Sequence, residues 1–177
     1  MMARQIAPGL RRTFSFEEWN WVDDRLIQEV RTEATKKINR DLVLDIMGTD
    51  IDARMVEIAK ENAQKAGVAS DITFKQMRVQ DLRSDKINGV IISNPPYGER
   101  LSDDAGVTKL YAEMGEVFAP LNTWSKFILT SDENFEKKFG RQADKKRKLY
   151  NGTLKVDLYQ FFGERVRRQA TSEKGNI

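Results

Sequence analysis

Gly89-Val90-Ile91-Ile92-Ser93-Asn94-Pro95-Pro96-Tyr97 is an apolar run that stops on an amide, two prolines and an aromatic ring. Val90 to Ser93 has the β-branched content and the length of a strand. Proline fixes φ and lacks an N–H, so Pro95 and Pro96 take the chain rigidly out of the sheet and leave carbonyls free to face a ligand. An exocyclic amine needs such acceptors. Asn94 Oδ1 and the Pro95 carbonyl can each take one hydrogen of an NH2 group, and Tyr97 offers a face on which a base can stack. Residue types alone allow a second account equally well, a Pro-Pro turn whose tyrosine merely packs.

Working outward, apolar residues recur every four positions from Val22 through Leu26, Val30, Ala34 and Ile38, the pattern of an amphipathic helix. Leu42 to Met47 reads as a buried strand ending at Gly48-Thr49-Asp50. Asp52 is placed to cap the next helix, with Met55, Val56, Ala59, Ala63 and Ala66 as its apolar stripe and Gly67 as its stop. Ile72 to Gln76 is a short strand. Asp103 or Asp104 opens a third helix, with Val107, Leu110, Tyr111, Met114, Val117 and Phe118 at helical spacing until Pro120 ends it. Lys126 to Thr130 is a further strand. Asn151-Gly152 then sits between two strand-like runs, a strong hairpin signal. Alternating strands and helices followed by a hairpin predict an α/β layer fold, its sheet mostly parallel with an antiparallel edge.

With 40% apolar and 32% charged residues, the 177-residue chain has the composition of one soluble domain. The domain is expected over residues 1–170, with a polar tail over 171–177. No stretch reads as a membrane span or a signal peptide, so a cytoplasmic location is expected. The chain has neither Cys nor His, which excludes thiolate catalysis, Ser-His-Asp chemistry, imidazole acid/base work and the usual zinc sites. The net charge of +3 is unevenly placed. Arg141, Lys145, Lys146, Arg147 and Lys148 cluster, as do Arg165, Arg167 and Arg168; such patches suit a phosphate backbone, although a solvated basic loop explains them as well. Phe14, Phe16, Trp19 and Trp21 read as a hydrophobic cluster rather than a base-stacking platform.

In open α/β sheets, ligands lie beyond the carboxyl ends of the strands. Asp50 and Asn94 both stand there. An acidic residue closing the second strand of a nucleotide-binding fold accepts hydrogen bonds from ribose hydroxyls, so Asp50 is a candidate cofactor anchor and Ile51 would lie against the adenine. Asp52 needs no role beyond capping.

Gly48-Thr49-Asp50-Ile51-Asp52, the helix end Asn62-Ala63-Gln64-Lys65-Ala66-Gly67-Val68, and Ser93 to Leu101 closely resemble S-adenosylmethionine-dependent methyltransferases of the THUMP-associated group. That group resembles in turn the bacterial enzymes that methylate guanine N2 in 23S ribosomal RNA, many of them described generically as N6-adenine-specific DNA methylases. Ile6-Ala7-Pro8-Gly9-Leu10, Phe16-Glu17-Glu18-Trp19 and Tyr150-Asn151-Gly152 fit the same group.

The resemblance implies a Rossmann-like class I methyltransferase sheet with S-adenosylmethionine as cofactor and RNA, most naturally 23S rRNA, as partner. It places Asn94, Pro95, Pro96 and Tyr97 at the acceptor base and Asp50, Ile51 and Asn94 at the cofactor. Two departures stand out. The family's first strand and Gly-rich turn have no counterpart here, since no Gly-x-Gly occurs in the chain. The chain is therefore expected to be the carboxyl-terminal part of a longer enzyme, its two unpaired strand edges favouring a homodimer. Arg78 occupies the place of the family's acidic residue near the adenine, and Asp81 is the nearest carboxylate able to substitute. An inactive fragment or RNA-binding module, and adenine N6 methylation of DNA or RNA, stay open as alternatives.

Overall fold

The structure is a computed structural model that describes residues 1–96 and 104–164. The chain divides into two compact units, Met1–Arg78 and Val79–Ile177.

The first unit holds helix α1 (Asp24–Lys36), strand β1 (Ile46–Asp50), helix α2 (Ala53–Ala66) and strand β2 (Ile72–Gln76). Both helices start on an aspartate, as N-terminal amides require. Asp23 accepts from the Arg25 N–H at 2.8 Å and Asp52 from the Arg54 N–H at 2.9 Å. Gly67 closes α2 in the left-handed region at φ 71°, its N–H returning to the carbonyls of the last turn. The strands pair in parallel, with Ile46 opposite Ile72 and Asp50 opposite Gln76. α2 buries Val56 and Ala63. The Arg4 guanidinium grips Asp71 through two hydrogen bonds of 2.6 Å and donates to the Asn39 and Arg40 carbonyls, tying the amino-terminal segment to the end of α1 and the start of β2.

Two expectations need correction here. The strand expected from Leu42 starts four residues later, so Leu42 to Asp45 lies outside it, and Val43 is 94% exposed. Pairing instead extends through Gly48, where a Cβ would come within 2.9 Å of the Phe74 ring. The stripe expected along α1 is only partly covered, for Val22, Ala34 and Ile38 are half-buried while Leu26 and Val30 are exposed. Phe14, Phe16, Trp19 and Trp21 do form a row of successive ring contacts, with centroids 5.3 to 6.5 Å apart. It is not a buried cluster, for Phe16, Trp19 and Trp21 are exposed.

The second unit holds β3 (Val90–Ser93), α3 (Asp104–Phe118), β4 (Ser125–Thr130), α4 (Phe135–Phe139), β5 (Lys145–Asn151) and β6 (Leu154–Phe161). Its sheet runs β3-β4-β6-β5: β3 and β4 are parallel, while β6 is antiparallel to both β4 and β5. Alternate residues of β4 face the helices, burying Lys126, Ile128 and Thr130. Around them Tyr111, Met114 and Phe118 of α3, Phe135 and Phe139 of α4, and Tyr159 and Phe161 of β6 build one core. Phe135 is its hub, its ring 4.7 to 5.0 Å from those of Tyr111, Phe139 and Tyr159. Gly89 leads into β3 beneath the Trp124 indole, where a Cβ would collide with the ring. Trp124 Nε1 in turn donates to the Lys86 carbonyl at 2.6 Å.

The hairpin is present, but its centre is displaced by one residue. Asn151 is still paired, opposite Leu154, and the loop is Gly152-Thr153. Only Gly152, at φ 62°, has a positive φ, so the loop follows the II′ pattern with Gly first, not the Asn-Gly turn expected. Among the described residues β1 pairs only with β2 and β3 only with β4, leaving one free edge on each. Both strands carry exposed apolar side chains: Ile46 and Met47 on β1, Val90 and Ile92 on β3.

Candidate active site

Parallel pairing directs the carboxyl ends of β1 and β2 the same way, and Asp50 is the last residue of β1. Its Oδ1 accepts from the Asp52 N–H at 2.8 Å, and its carbonyl accepts from the Met77 N–H. Oδ2 carries no hydrogen bond among the described residues. The neighbouring Ile51 carbonyl accepts from Gln76 Nε2 at 3.0 Å, which fixes the backbone while the Ile51 side chain stays 63% exposed. Asp52 is otherwise engaged. Its hydrogen bonds to the Arg54 side chain, more than that to the Arg54 N–H, hold its carboxyl below the ordinary range. Asp52 caps α2 as expected, and Asp50 has one carboxylate oxygen without a hydrogen bond among the described residues.

In the second unit β3 and β4 are parallel, and Asn94, Pro95 and Pro96 follow β3 at the carboxyl end. The Asn94 side chain is exposed and makes no hydrogen bond with any described residue. Pro95 is buried and Pro96 exposed. The amide is therefore set beside a proline-fixed, half-sunk turn, its donors and acceptors unused among the described residues. Tyr97 lies outside the described residues. Asp81 is exposed, at the end of a single 3-10 turn (Val79–Asp81) that Gln80 fastens to α3 by a 2.6 Å hydrogen bond from its Nε2 to Glu113. Asp50 and Ile51 belong to the first unit, and Asp81, Asn94, Pro95 and Pro96 to the second.

The basic cluster falls on β5, where Lys145, Lys146, Arg147 and Lys148 are all exposed. Lys146 is spoken for by Glu136 at 2.8 Å and by the Tyr159 ring beneath it. Arg165, Arg167 and Arg168 lie outside the described residues. Among the described residues no helix is long and apolar enough to cross a membrane.

Residues 1–160 match the UPF0020 family model, "RMKL-like, methyltransferase domain". The chain belongs to that family. It is 49% identical over 172 residues to the Bacillus subtilis protein named "Putative RNA methyltransferase YpsC", covering 97% of this chain and 45% of the relative. It is 38% identical to the ribosomal RNA large subunit methyltransferase K/L of Shewanella amazonensis, covering all of this chain and 27% of that one. Among solved structures, SMU.472, described as "a putative methyltransferase complexed with SAH", superposes with a TM-score of 0.91 at 62% identity, over 94% of this chain and 44% of the other. A predicted N6-adenine-specific DNA methylase from Listeria monocytogenes gives 0.85 at 47% identity, over 92% and 42%. The chain thus spans less than half the length of each of these relatives. Its fold is the class I methyltransferase α/β fold expected from the motifs.

Proposed function

We propose that this chain forms part of an S-adenosylmethionine-dependent enzyme that methylates an exocyclic amine of a ribosomal RNA base, guanine N2 of 23S rRNA being the favoured target. The observation that carries this reading is the Asn94 amide, exposed and without a partner among the described residues at the carboxyl end of β3, on a turn whose next residue, Pro95, is buried. Asn94 Oδ1 and the Pro95 carbonyl accept the two amine hydrogens and so aim the nitrogen lone pair. Tyr97 stacks on the base.

The donor side has matching chemistry. Asp50 keeps a free carboxylate oxygen, which suits a ribose hydroxyl, next to the exposed Ile51 side chain, which suits an adenine face. S-adenosylmethionine, when bound, supplies a methyl group already activated on a sulfonium, so the residues around the amine need only position it and exclude water. The assignment of Asp81 to the adenine amine rests on its place in the sequence after β2. RNA phosphates fall to Lys145, Arg147 and Lys148 on the exposed β5. The SAH-bound relative supports the cofactor, and the K/L relatives support ribosomal RNA.

The test is methyl transfer from labelled S-adenosylmethionine to ribosomal RNA by the full-length polypeptide, with nucleoside analysis of the product. Wild type is expected to yield N2-methylguanosine and Asn94→Ala to lose transfer by about two orders of magnitude or more, the scale of lost positioning. Retained activity in Asn94→Ala would reject the role of the amide. N6-methyladenosine would instead support adenine as target, the reading favoured by the name of the Listeria relative. Calorimetric titration of the 177-residue chain with S-adenosylhomocysteine separates a competent donor site from an inert fragment, which would not bind.

A further inference from the structure

A cavity of about 490 Å³ opens in the second unit between the last turns of α3, the end of α4, and the β4–β6 pair. Its wall includes Phe118, Phe139 and Phe161, all in the buried core. Three cations share the space, Lys126, Lys138 and Arg141, against the single carboxylate of Glu116. Lys138 is held by Asp132 at 2.9 Å. Arg141 is half-exposed, reaches Asp144 only at 3.5 Å, and lies over the Phe161 ring.

Lys126 is the unusual member. It is 2% exposed, on the face of β4 that otherwise carries Ile128 and Thr130. Its ammonium donates to the Leu121 carbonyl beyond the end of α3 and to nothing else, and it pairs with no carboxylate among the described residues. An ammonium has three hydrogens to place, and a buried charge without a counter-ion is costly. Burial first, and then the nearby Arg141, hold the Lys126 ammonium below the ordinary lysine range. An anion in the cavity would offset both effects.

We propose that this cavity binds a small organic anion, its charged head between Lys126 and Arg141 and its flat apolar body against the exposed margins of Phe118 and Phe139. The place is distinct from the acceptor turn: Lys126 sits at the amino end of β4, paired with Ile91, whereas Asn94 follows the carboxyl end of β3. Phosphate and carboxylate heads share the required chemistry, a compact negative charge able to take two cationic donors at once.

The probes are phenyl phosphate, benzoate, inorganic phosphate and phenol, each titrated into the intact chain and followed calorimetrically and by amide chemical shifts. Phenyl phosphate or benzoate is expected to bind at least about ten-fold more tightly than inorganic phosphate or phenol, because only the first two engage both halves of the cavity. Whichever of the two binds more tightly identifies the head group. Lys126→Met is expected to cost about ten-fold or more in affinity, and the half-exposed Arg141→Gln, which replaces no core side chain, several-fold. Unchanged affinity in Arg141→Gln, or no saturable binding of either aromatic anion at about 10 mM, the weak limit for a site of this chemistry, overturns the proposal.

Discussion

Tyr111 and Thr130 meet through a 2.9 Å hydrogen bond between hydroxyls, both residues fully buried, and so lock the middle of α3 onto the last residue of β4. Thr130 Oγ1 also accepts from the Asp132 N–H at 3.1 Å, which carries the order of the core into the turn before α4. Tyr111→Phe keeps the ring against Phe135 and removes only the hydroxyl. It should destabilise the chain by about 1–2 kcal/mol, the value of one buried hydrogen bond. Urea unfolding followed by far-UV circular dichroism measures this, and an unchanged midpoint would remove the hydroxyl pair from the account of stability.

Gly115 separates two opposing effects. In an exposed helix Gly→Ala gains about 1 kcal/mol. Here the added Cβ would strike the Phe139 carbonyl oxygen, a backbone atom that cannot swing aside. Overpacking costs about 1–3 kcal/mol, so the collision should win and Gly115→Ala should lower the melting temperature. A rise would mean that α3 and α4 separate easily.

The Arg4–Asp71 pair predicts an acid-side dependence. Hydrogen bonding to Arg4 holds the Asp71 carboxyl below its ordinary value near 3.8. The unfolded chain therefore takes up this proton first as pH falls, and the contribution, full above that value, is lost as pH drops through the lower folded one. Melting temperatures from pH 2 to 5 should fall more steeply for wild type than for Asp71→Asn. Parallel curves would refute the linkage.

The free edges of β1 and β3 lead to a prediction about association. Ile92 is 81% exposed on a strand with one edge unpaired among the described residues, an arrangement that invites pairing with another chain. Sedimentation velocity should detect concentration-dependent association of the chain, weakened by Ile92→Lys. A monomer at all concentrations would exclude the homodimer.

How much of this was legible in the sequence depended on how local the signal was. Asp52 and Gly67 bracket α2 by chemistry confined to one turn at each end, and both were read correctly. The same holds for β2 and β3, each a short run closed by a turn or a proline. β1 was misplaced because a strand's limits are set by its partner: Leu42 and Val43 are as apolar as Ile46, but β2 reaches only from Ile46 onward. The hairpin loop slipped for the same reason, since the register that keeps Asn151 paired is a property of both strands. α4, five residues long with one Phe at each end, is too short to display a period. That Asp50 ends one strand and Asn94 follows another was legible because strand ends are readable. Lys126 gave no such signal, since one cation in an apolar run looks the same whether its head reaches water or the end of a helix.

Pro95 and Pro96 have a further effect on the chain. Successive residues of a strand offer their N–H groups to opposite sides, so two adjacent prolines deprive both sides at once. A strand laid along β3 can zip only as far as the backbone N–H of Asn94 and beyond it finds no donors at Pro95 and Pro96. Any strand that pairs with the free edge of β3 leaves the Pro95-Pro96 stretch unzipped, kept clear by the omission of two hydrogen atoms.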